Sequence, residues 1–174
     1  MQDDSELIRK FQNGDEKSFD KLIEKYLPKV FGFFINFTRN EMIAQDLSQD
    51  VFMKLYKNLK NFRHESSFTT YLYRINSNTA NSWFTRNKWK NILHLDQTYE
   101  RGEVDNDIEK DWARKELWDA ISLLPKKQRT VVVLRISESL SYKEIALITK
   151  STEGSAKVNY HHGINKLKEL LKSE

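Results

Sequence analysis

Only five glycines and two prolines are spread through 174 residues, and apolar side chains return at steps of three and four along most of the chain. Strands alternate with a period of two and need frequent turn residues, whereas helices repeat about every 3.6 residues and need few. Such a scarcity of turn formers predicts an all-α fold. A first helix is expected over 5–13, closed by Gly14, and a second over 16–38 behind Asp15 as cap. The second turns Phe19, Leu22, Ile23, Tyr26, Val30, Phe33 and Phe34 inward, and Pro28 should kink or break it. A third, over 42–59, buries Ile43, Leu47, Val51 and Leu55 at four-residue steps. After a loop at 61–67, a fourth runs over 68–89.

From Leu95 to Asp111 the periodicity fails and polar and acidic residues dominate. Helical signal resumes near Trp112, with Leu117, Ile121 and Leu124 on one side. Pro125 stands where a first turn tolerates it, ahead of a helix to Ile136. Ser141-Tyr142-Lys143-Glu144 is a capping box opening a short helix to Ile148, and Thr152 can cap a last helix reaching Lys172. The expected architecture is two small helical lobes, residues 1–92 and 112–174, joined by an acidic linker at 93–111. The second lobe ends in a helix-turn-helix.

Charge is unevenly placed. Residues 1–53 hold 7 Lys/Arg against 10 Asp/Glu, and residues 54–90 hold 8 against 1. The balance turns acidic over 94–119, with 4 against 9, and basic again over 124–174, with 10 against 5. Two basic blocks divided by an acidic one suit two anion-binding surfaces on a jointed chain, or a set of solvated helices of varied charge. The stretch from Phe68 to Lys90 carries Arg74, Arg86, Lys88 and Lys90 with no carboxylate. It also carries Tyr71, Tyr73, Trp83, Phe84 and Trp89, a combination suited to a polyanion with stackable bases. Asp46, Gln49 and Asp50 sit at i, i+3 and i+4 on the preceding helix, a polar face that suits a protein partner.

With no cysteine, disulfides, thiolate metal sites and cysteine nucleophiles are excluded, in keeping with a reducing cytoplasm. Nothing at the acidic N-terminus resembles a signal peptide, and no apolar run approaches a membrane span. His161 and His162 are adjacent, which sets their rings about a hundred degrees apart on a helix and makes them poor joint metal ligands. No nucleophile paired with a base and no phosphate-cradling loop is visible, so neither an enzyme nor a cofactor is expected.

In the C-terminal pair of helices, Ile145, Ala146 and Ile148 should face Ala156, Tyr160, Ile164 and Leu167. That leaves Ser155, Val158, His162 and Asn165 toward solvent, flanked by Lys157, Asn159 and His161, a set able to enter a major groove. Paired short helices on a tight turn also occur in proteins that bind no DNA.

Three groups of residues, in order along the chain, resemble bacterial RNA polymerase sigma factors of the extracytoplasmic-function group. Ala44-Gln45-Asp46-Leu47-Ser48-Gln49-Asp50-Val51-Phe52 is similar to the group's polymerase-binding helix. Phe62-Arg63-His64-Glu65-Ser66-Ser67-Phe68-Thr69-Thr70-Tyr71-Leu72-Tyr73-Arg74-Ile75 resembles the melting loop and helix that follow. Leu124-Pro125-Lys126-Lys127-Gln128-Arg129, Leu140 to Ala146 and Gly154-Ser155-Ala156-Lys157 are similar to its promoter-reading lobe.

The resemblance implies that Asp46, Gln49 and Asp50 meet the coiled-coil clamp of the polymerase's largest subunit. It implies that Phe62, Arg63, His64, Ser66 and Ser67 capture a base flipped from the minus-ten element. Thr69, Tyr71, Tyr73, Arg74 and Asn78 would hold the displaced strand. Arg129, Ser155, Lys157, Val158, Asn159 and His162 would meet the minus-thirty-five element. Implied partners are bacterial RNA polymerase core, promoter DNA and an anti-sigma protein, for which apolar stripes on both lobes are available. A helix-turn-helix regulator acting on duplex DNA without polymerase is the main alternative, and a helical protein-binding adaptor a second. The chain departs from the group's pattern at Tyr71, where Trp is frequent, at Ser82 and Thr85, where Asp and Arg are common, and at Asn159, His162 and Ile164, where Arg is favoured.

Overall fold

A computed structural model of the protein describes residues 3–94 and 106–172, with residues 88–94 and 106–112 described by their backbone alone. Among the described residues there are eight helices and no strand: α1 (Asp4–Gln12), α2 (Glu16–Thr38), α3 (Glu41–Leu59), α4 (Phe68–His94), α5 (Asn106–Leu123), α6 (Lys126–Glu138), α7 (Tyr142–Thr149) and α8 (Glu153–Leu170). They divide between two compact units. One comprises Met1–Ala80 with Leu147–Lys150, and the other Asn81–Ala146 with Ser151–Glu174, so α4 begins in the first and ends in the second. Of the linker expected at 93–111, residues 95–105 lie outside the described residues, and α5 begins at Asn106, ahead of the expected start near Trp112.

In the first unit α2 packs against both α1 and α3. Leu7, Ile8 and Phe11 of α1, Leu22, Val30, Phe33 and Phe34 of α2, and Val51, Leu55 and Leu59 of α3 are almost wholly buried, the stripes that their spacing predicts. Phe11, Phe19 and Tyr56 form a ring cluster with centroids 5.0–5.3 Å apart. α2 runs through Pro28 without the expected break. It ends where Arg39 turns left-handed at φ 50°, and Asn40 then caps α3 by accepting from the Ile43 amide at 3.0 Å. Asp4 pairs with Lys25 at 2.6 Å and accepts from the Tyr26 hydroxyl, tying α1 to α2.

The second unit is built on α6, whose Val131, Val132, Val133 and Leu134 are all buried, with α5 and α8 packed on it. The Ser141 capping box forms as expected: Glu144 accepts from the Ser141 amide at 2.8 Å while the Ser141 hydroxyl accepts from the Glu144 amide at 3.2 Å. Thr152 caps α8 by accepting from the Ser155 amide at 3.1 Å. Gly163 lies where α6 and α8 come closest. A Cβ there would stand 2.7 Å from Cγ2 of Val132, so only glycine permits this approach.

Candidate functional site

The i, i+3, i+4 spacing on α3 leaves Asp46 and Gln49 exposed and Asp50 half-exposed. Asp46 and Gln49 therefore face away from the core formed by Ala44, Leu47, Val51 and Leu55. Asp50 is less free. Its carboxylate accepts from Lys54 at 2.7 Å, and Lys54 also donates to Thr79 of α4 at 2.9 Å. Beside this face an apolar groove of about 980 Å³ opens between α2 and α3. Ile23, Leu27, Phe31, Phe52 and Met53 line it, and Gln45, Ser48 and Gln49 form part of its edge. Leu27 and Met53 are 44% and 60% exposed, an apolar concavity that water covers poorly.

The loop after α3 brings two of the expected base-capturing side chains, Phe62 and His64, together with Tyr71 of the expected strand-holding set. The Phe62 ring lies 5.0 Å from His64 and 4.9 Å from Tyr71, centroid to centroid. His64 is held at φ 55°, a left-handed conformation that costs a residue with a Cβ about 1–2 kcal/mol. Burial raises the pKa of the Tyr71 phenol, keeping it a neutral ring with a hydroxyl to donate. Arg63 and His64 are exposed and Ser66 half-buried. Ser67 is engaged locally, accepting from the Thr70 amide at 3.1 Å and so starting α4.

Along α4 the expected strand-holding residues part company. Asn78 is exposed and Thr69 half-buried. Tyr73 is only 4% exposed, with the Lys29 ammonium 5.0 Å from its ring, so its surface is not available to a base as expected. Within the same unit Arg74 donates from Nε to the Ile148 carbonyl at 3.0 Å and from Nη2 to the Leu147 carbonyl at 2.7 Å. The side chains of Lys88, Trp89 and Lys90 lie outside the described residues.

In the second unit Ser155, Lys157, Val158 and His162 are exposed on α8, and Asn159 half-exposed. Lys157, the face's one lysine, pairs with Glu153 at 2.9 Å. Arg129, expected among the minus-thirty-five contacts, is instead 5% exposed. Its Nε donates to Asn81 Oδ1 and its Nη1 to the Ser122 carbonyl, both at 2.9 Å, and the guanidinium lies 5.3 Å from the Phe84 ring centroid. Asn81 completes the arrangement by donating to Thr130 Oγ1 at 2.8 Å. Burial pulls the Arg129 pKa down, yet a guanidinium stays charged at any physiological pH, and its partners are the carbonyl groups and ring that desolvation demands.

Two residues that the sequence reading passed over shape these surfaces. Gln12, on α1, donates from Nε2 to the carbonyls of Leu59 at 3.0 Å and Phe62 at 2.9 Å, fastening the start of the loop. No local pattern signals so distant a bond. Gly163 was legible, because a glycine on the inner stripe of a helix marks a close backbone approach.

Comparison with known proteins identifies the family. Residues 22–90 match sigma-70 region 2, and residues 114–167 match sigma-70 region 4. The chain is 33% identical to the RNA polymerase sigma-H factor of Pseudomonas aeruginosa, over 90% of this chain and 88% of that protein. It is 35% identical to the ECF RNA polymerase sigma-E factor of Haemophilus influenzae, over 88% and 87%. Among solved structures it is similar in fold to CnrH bound to the cytosolic domain of CnrY, with a TM-score of 0.66 at 19% identity over 98% of both chains. It is also similar to the sigma factor RpoE bound to the anti-sigma factor NepR from Bartonella quintana, with a TM-score of 0.56 at 23% identity over 90% of this chain and 98% of that one. The chain belongs to the extracytoplasmic-function group of the sigma-70 family and is a transcription initiation factor. A helix-turn-helix regulator without polymerase is disfavoured, since the region 2 match has no place in it.

Proposed function

We propose that this sigma factor binds RNA polymerase core through Asp46, Gln49 and Asp50 and opens the minus-ten element with the Phe62–Tyr71 cluster. It reads the minus-thirty-five element with the exposed face of α8. Residues 1–92 hold the first two roles and residues 112–174 the third, with 93–111 joining them. Within the first lobe Arg63, His64 and Ser66 are placed to meet a base that has left its stack, and Asn78 to meet the strand beyond it. Unstacking costs a few kcal/mol, which ring contact and new hydrogen bonds can offset. The protein contributes binding energy and no chemical step, and it works in the cytoplasm beside the polymerase. Among the described residues no helix is long and apolar enough to cross a membrane. The α2–α3 groove, adjoining the polymerase face, suits an amphipathic helix of an anti-sigma protein, which would compete with core for one side of α3.

The observation that carries the reading is the polar face of α3: Asp46 and Gln49 are exposed and turned away from the core, in the same unit as the aromatic loop. The double variant Asp46→Arg with Asp50→Arg should lose at least about tenfold in co-purification with core, because the charges it presents are reversed. Its helicity should be unchanged, with no more than about 1 kcal/mol lost with the Lys54 pair. Undiminished capture of core by the folded variant would remove the assignment.

A further inference from the structure

Where α8 begins, its geometry narrows which bases it can accept. Asn159 donates from Nδ2 to the Ser155 carbonyl at 2.8 Å, and the same nitrogen lies 3.3 Å from Ser155 Oγ. A backbone carbonyl can only accept, so the amide must turn its nitrogen inward, and its two protons are drawn to these two oxygens. What remains toward solvent is Oδ1, an acceptor. An unconstrained asparagine reads adenine with both ends of its amide, accepting from N6 and donating to N7. Here the donating end is committed to the helix. Close by, Val158 is 55% exposed, and Lys157 is drawn aside to Glu153.

We infer that Asn159 reads one position of the upstream element as a hydrogen-bond acceptor only, selecting the exocyclic amino group of adenine or cytosine and rejecting guanine and thymine. In the major groove only adenine N6 and cytosine N4 offer that donor. Guanine presents N7 and O6 and thymine presents O4 with its methyl group, all without a proton for Oδ1. An acceptor facing an acceptor in a desolvated groove leaves both unsatisfied, which is the source of the rejection. The inference rests on the reading of α8 proposed above and adds the chemistry of the base it takes.

The test uses holoenzyme made from core and the full chain, bound to promoter duplexes carrying each base at every position of the upstream element. One position should prefer adenine or cytosine over guanine and thymine by about fivefold or more, and Asn159→Ala should reduce that preference to within about twofold. Analogues then identify the atom. Replacing adenine by purine, or cytosine by 2-pyrimidinone, removes the amino group and should cost the same factor. Replacing adenine by 7-deazaadenine removes N7 alone and should cost nothing. An Asn159-dependent preference for guanine or thymine, or a 7-deazaadenine penalty as large as that of purine, overturns the inference. So does promoter-specific binding with no position that responds to Asn159→Ala. Binding indifferent to the upstream sequence, in both proteins, overturns the promoter-reading role of α8 itself.

Discussion

The loop at Phe62–Tyr71 and the outer face of α8 are both proposed to meet DNA, and they are built from opposite materials. The first is a cluster of rings, Phe62 against His64 and Tyr71, with an exposed Arg63 and one backbone turn held left-handed. The second shows no Phe or Trp and almost no net charge: a serine, a valine, an asparagine, the adjacent His161 and His162, and a lysine already paired with Glu153. A base out of its stack offers a flat apolar face, which rings can cover whatever its sequence. A base still paired offers only its edge, which small polar groups distinguish. The contrast in composition thus follows the contrast in substrate, single strand against duplex.

Arg129 is the sharpest place to break that contrast, since it was expected among the DNA contacts and lies buried. Arg129→Ala should cost about 2–4 kcal/mol of stability, because it strands Asn81 Oδ1 and the Ser122 carbonyl. Thermal melting followed by circular dichroism measures it. An unchanged melt combined with uniformly weaker DNA binding would return Arg129 to the phosphates. Next in size is the ring cluster. Phe62→Ala should weaken binding to the displaced minus-ten strand by about 1–3 kcal/mol, with permanganate footprinting of holoenzyme showing reduced opening while core is still captured. A variant that opens promoters normally would make the cluster a connector.

Gly163→Ala should destabilise the second unit by about 1 kcal/mol, the strain against Val132 exceeding the gain in helix propensity. A rise in melting temperature would mean the helices part without cost. The smallest effect should be in salt. With Arg129 withdrawn, Lys157 paired with Glu153 and Lys166 paired with Glu169, about two phosphate contacts are left to the second lobe, from Lys126, Lys127 and Lys143. The share of the salt exponent lost when the upstream element is scrambled should then be about −2. A much steeper share would show that charge, and not base edges, carries the contact.

Much of this was legible in the chain. The period of 3.6 marked the inner stripes of α2 and α3, and the Ser141 capping box and Thr152 cap form as the residue types require. The exposed polar face at Asp46 and Gln49 followed from spacing alone. What escaped did so for physical reasons. Tyr73 was placed outward because aromatic residues beside cations suit nucleic acid, and Arg129 because the family resemblance implies a minus-thirty-five contact there. α4 is buried on more than one side, with Leu72, Tyr73, Asn76, Ser77, Thr79 and Ala80 all enclosed, so no single stripe announces its orientation. The direction of the Asn159 amide depends on a carbonyl one turn away, a detail that spacing permits without specifying.

The Gln12 bridge gives α1 a part in shaping the loop that follows α3. One amide, crossing 47 residues to Leu59 and 50 to Phe62, lets α1 splint the loop that we propose receives the flipped base. A protein shortened by its first dozen residues loses both bonds, together with the Phe11 ring that packs on Phe19 and Tyr56, so the loop and the α2–α3 core lose their support on one side at once.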